Sequence, residues 1–71
     1  MIEWHRLKSA WIIARAEAEA AQHKLDQAFE RYLDGEGLPP TDRMQEKVAK
    51  LFLKEGASRK AMDEYIKQRS S

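Results

Sequence analysis

Cysteine is absent from the 71 residues, and disulfides, thiolate metal sites and thiol nucleophiles are absent with it. A chain this short without a covalent or metal staple must draw its stability from packing, within itself or against another molecule. Glycine occurs three times and proline twice. Gly35, Gly37, Pro39 and Pro40 crowd into one short stretch, and only Gly56 stands elsewhere. Charge of one sign is also missing, since 13 Lys and Arg face 12 Asp and Glu for a formal net charge of +1. Domains that bind polyanions generally carry a clear basic excess, so only a local basic face is open. No long apolar run occurs near the N-terminus, where the longest, Ala10 to Ala14, is closed by Arg15. It is too short to span a bilayer and lacks the organisation of a signal peptide, so a cytoplasmic protein without membrane contact is expected.

The residues that are present, 42% hydrophobic and 35% charged, fit one helical domain spanning 1–71. From Ile2 to Asp34 there is no Gly or Pro, and Ala, Glu, Arg, Lys, Gln and Leu dominate. These residues lose least on becoming helical, which predicts a helix over about 2–34. Its apolar residues Trp4, Leu7, Trp11, Ala14, Ala18, Ala21, Leu25, Ala28 and Tyr32 recur at alternating steps of three and four, the seam of a coiled-coil-like surface. The Gly- and Pro-rich stretch 35–41 then stops the helix and turns the chain.

A second helical segment is expected over about 42–69. Thr41 or Asp42 can cap it, and Asp42 as cap would place Gln45 at the third helical position, as in a capping box. Met44, Val48, Leu51, Phe52, Met62, Tyr65 and Ile66 share one side at 100° per residue, within about 80° of one direction. The phase survives Gly56, which suits one continuous helix. A break or kink at 56–58, with Ser58 capping a short third helix, is slightly favoured.

The predicted fold class is therefore all-α, an antiparallel helical hairpin. With Asp34 and Asp42 flanking the turn, Tyr65 and Met62 should face Trp11 and Ala14, and Gly56 and Ser58 should face Ala18 to Ala21. Small residues would then meet at mid-height. Trp4 and Leu7 would lie against the last few residues, with little apolar material to cover them. Two helices hide only one stripe each, whereas ordering some 65 residues costs on the order of 100 kcal/mol. Ile12 and Ile13 beside Trp11, and Phe29 and Leu33 beside Tyr32, widen the apolar surface further. A homodimer closing into a four-helix arrangement is expected.

For chemistry the residues offer little. His5 and His23 are isolated, and Glu19 with His23 supplies two metal ligands where a dedicated site needs three or four. Gly35-Glu36-Gly37 lacks the Lys-Ser/Thr of a phosphate loop and carries an acid that repels phosphate. Neither an enzyme nor a metal or cofactor is expected. The sequence points instead to a small protein–protein interaction module, an adaptor, regulator or assembly subunit. Its candidate partner or dimer interface is Trp4, Leu7, Trp11, Ile12 and Tyr65, because large aromatic side chains dominate binding energy at interfaces. The alternative is a nucleic-acid-associated regulator using Arg43, Lys47, Lys50 and Lys54, which share one side of the second helix within about 60°. Glu46 beside them, and lysine stems able to cover an apolar edge, also suit an ordinary solvated flank. The segment from Leu51 to Ser58 resembles the opening of a helix-turn-helix, but no recognition helix follows it.

Overall fold

The computed structural model describes residues 2–70, and among these it contains two helices and no strand. Helix α1 is Ile2–Leu33 and helix α2 is Asp42–Ser70. They pack antiparallel as a hairpin measuring 55 × 16 × 15 Å.

Helix α1 ends on a Schellman motif. The Glu36 N–H donates to the Arg31 carbonyl at 2.9 Å and the Gly35 N–H to the Tyr32 carbonyl at 3.1 Å. Gly35, at φ +77°, holds the left-handed conformation this closure needs. Helix α2 opens at Thr41, whose Oγ1 accepts from the Met44 N–H at 3.2 Å, while its carbonyl accepts the first helical bond, from Gln45. Thr41 is thus the cap and Met44 the third helical residue. The capping box expected from Asp42 and Gln45 does not form, and Asp42 in the first turn instead favours the helix electrostatically.

The break slightly favoured at 56–58 is also absent, since α2 runs unbroken through Gly56, Ala57 and Ser58. A mid-helix glycine costs about 1 kcal/mol relative to alanine. Ending the helix there would leave several backbone groups without partners, so continuation is the smaller penalty.

Of the nine seam positions on α1, only Tyr32 is exposed; Ala14, Ala18 and Leu25 are buried and the others half-buried. Ala18 is the most enclosed of the described residues, at 0% exposure. The axial register differs from the one expected. Trp4, not Trp11, meets Tyr65, with ring centroids 6.0 Å apart, while Trp11 donates from Nε1 to Glu55 Oε1 at 3.0 Å. Tyr65 is therefore displaced by about two helical turns along α1. The turn is not symmetric about its midpoint. On the Trp4–Tyr65 register, the last one to two turns of α1 rise beyond the first residue of α2, which leaves Tyr32 and Leu33 outside the pairing.

The core is correspondingly thin. Ala14, Ala18, Leu25 and Val48 are the buried apolar residues among those described. The surface is 5868 Å², whereas a compact monomer of this mass exposes about 4,600 Å².

Candidate interaction surfaces

Of the five residues expected at an interface, four lie half-buried where the helices meet: Trp4, Leu7, Trp11 and Tyr65. The expectation that Trp4 lies uncovered is corrected by its stacking on Tyr65, over which the Arg69 guanidinium also sits at 5.3 Å. Trp11 is held on two sides. Its indole N–H reaches Glu55, and the Arg15 guanidinium lies 5.4 Å from its ring centre while bonding Glu19 at 2.9 Å. Ile12 is not drawn into this group and stands 50% exposed.

The helices leave two unlike flanks. On one, Glu17, Ala20, Ala21, Lys24 and Leu25 of α1 and Met44, Lys47, Val48 and Leu51 of α2 enclose a groove of about 450 Å³. It exists because α1 contributes alanines where α2 contributes longer apolar side chains. Lys24 and Lys47 each immediately precede the buried residue of their helix, Leu25 and Val48, and so stand about 100° round from the seam. Arg43, Lys47 and Lys50 border a second hollow with Glu46 and Leu51. Lys54 is exposed one turn beyond Lys50. None of Lys24, Arg43, Lys47, Lys50 and Lys54 has an ion-pair partner among the described residues.

The opposite flank is aromatic. Phe29 and Phe52 follow Leu25 and Val48 by four residues, about 40° round in the other rotational sense. Because the helices are antiparallel, equal rotations about each carry side chains to the same side of the hairpin. Ile66 bears the same relation to the half-buried Met62. Phe29 and Phe52 are each 40% exposed and Ile66 is 47% exposed.

The sequence reading missed Lys24, the groove and the Glu55 acceptor. A signal for the groove was present, in Ala20 and Ala21 beside a basic residue on α1. It becomes legible only once the register places them level with Met44 and Val48. Among the described residues, no group of three or more His, Asp or Glu side chains is arranged to hold a metal ion, and no helix is long and apolar enough to cross a membrane. No family model, curated protein or solved structure matches this chain.

Proposed function

We propose that this protein is a helical interaction module that works by binding rather than catalysis, and that it self-associates through the flank bearing Phe29, Phe52 and Ile66. The observation that carries the reading is the surface excess. The chain exposes about 1,300 Å² more than a compact monomer of its mass, and a standard two-fold interface removes roughly 800 Å² from each partner. The aromatic flank is the better pairing face because its charges are mixed: Arg15, Glu19 and Asp26 are exposed and each follows a buried seam residue of α1, which puts them about 100° round on that side, with Arg15 and Glu19 already paired. A two-fold copy can align opposite charges there. On the groove flank, one acid, Glu17, stands with two lysines, so pairing would leave cations unmatched. Two hairpins joined in this way make a four-helix arrangement.

Light scattering across a concentration series tests the reading. The expected mass is twice 8.3 kDa, falling to the single-chain value when Phe29 and Phe52 are both replaced by Ser. A folded monomer at all concentrations, or a dimer indifferent to both replacements, would sink it.

A second reading, nucleic-acid binding along Arg43, Lys47, Lys50 and Lys54, draws on the unpaired state of these side chains. It is the weaker one, because Glu46 sits among them and the chain as a whole is nearly neutral.

A further inference from the structure

We infer that the groove between Ala20, Ala21 and Leu25 of α1 and Met44, Val48 and Leu51 of α2 accepts an acidic amphipathic helix from a partner protein. The inference rests on the reading of the chain as an interaction module. It also requires that the groove flank stay open when two copies pair.

Three observations carry it. The floor is apolar, so the occupant must bring an apolar face of its own; a phosphate backbone has no use for such a surface. Each wall carries a cation, Lys24 on α1 and Lys47 on α2, with Arg43 and Lys50 bordering the neighbouring hollow and Lys54 exposed beyond them. None of these has a carboxylate partner among the described residues, so a partner's acids would meet unpaired cations. Glu17 is the acid on the groove wall, and Glu46 lies in the neighbouring hollow. Finally, the groove runs along both helices. Its lining on α1 spans two turns from Glu17 to Lys24, and Ile13, 59% exposed, adds apolar surface one turn further on the same flank. A helix with apolar residues at i, i+3, i+4 and i+7 and acids on either side matches such a trough. A second copy fits less well, because it brings one acid, Glu17, against the two lysines of the groove and leaves cations unmatched.

The test uses the full chain and a fluorescein-labelled synthetic peptide of about 18 residues, long enough to form several helical turns. It carries leucines at helical spacing and glutamates elsewhere. Its controls are a scrambled peptide of the same composition, a Leu/Lys peptide of the same pattern and a mixed-sequence DNA duplex. Anisotropy titration should show the patterned acidic peptide binding at least about tenfold more tightly than the scrambled one. Combined Lys24→Glu and Lys47→Glu should weaken it by a similar factor and turn the preference toward the Leu/Lys peptide. Ala20→Phe, at an exposed position on the groove wall, should block binding while leaving the helical circular dichroism intact. Equal binding of patterned and scrambled peptides, indifference to Ala20→Phe in a folded variant, or tighter binding of the duplex would overturn the inference. Light scattering on the same samples reads self-association separately, so failure of the groove and failure of the pairing flank are distinguishable.

Discussion

At the scale of single residues, the contact with the most to say is Trp11 with Glu55. The indole brings a large apolar body to the meeting of the helices, and its N–H must find an acceptor there. Glu55, half-buried on α2, supplies it at 3.0 Å. A hydrogen bond to a charged acceptor is worth more than a neutral one, and it permits one height of α2 against α1. Trp11→Phe keeps most of the packing and removes the donor, so it should cost about 1 to 2 kcal/mol. Glu55→Gln retains an acceptor and should cost less. Urea unfolding of these variants, and of a cycle combining Trp11→Phe with Glu55→Ala, which removes the acceptor, checks this; a coupling energy near zero in that cycle would show that the bond contributes nothing to stability.

At the scale of elements, the seam on α1 and the stop at Gly35 were legible because each is a local matter, of period and of backbone conformation. The cap was legible as a choice between neighbours, which the Thr41 hydroxyl decides. Axial register was not legible. Periodicity says which side of a helix faces its partner, but the run of alanines at Ala14, Ala18 and Ala21 packs acceptably at several heights. The height is marked by Trp4 on Tyr65 and Trp11 on Glu55, pairings that no heptad pattern encodes. Gly56 departs from expectation for a different reason: its cost to a helix suggests a boundary, whereas the helix around it absorbs that cost. A Cβ built at Gly56 meets nothing within 4 Å, so Gly56→Ala should stabilise the protein by about 1 kcal/mol. Thermal unfolding would reveal a lowered midpoint if the glycine served as a bend or a point of close approach instead.

At the scale of the whole molecule, the governing fact is shape. The radius of gyration is 16.4 Å, against about 11 Å for a compact domain of this length. A rod two helices wide has much surface and little interior, and the four buried apolar residues among those described make a slender core. Stability should therefore depend on protein concentration. If pairing covers Phe29, Phe52 and Ile66, the unfolding midpoint rises as the chain is concentrated, by mass action. Calorimetry over a hundredfold range of concentration checks this, and a constant midpoint would mean that the hairpin stands on its own core.

The antiparallel path of the chain also sets the address of anything attached to it. The first turn of α1 and the last turn of α2 lie at one end of the rod, with Trp4 against Tyr65, and the Gly- and Pro-rich connection with its 88% exposed Leu38 lies at the other. A fluorophore fused near either terminus thus occupies the same pole. Two paired rods pointing the same way would bring all their terminal fluorophores together, within easy reach of energy transfer. Rods pointing opposite ways would hold them nearly a molecule's length apart, on the order of the 55 Å long axis.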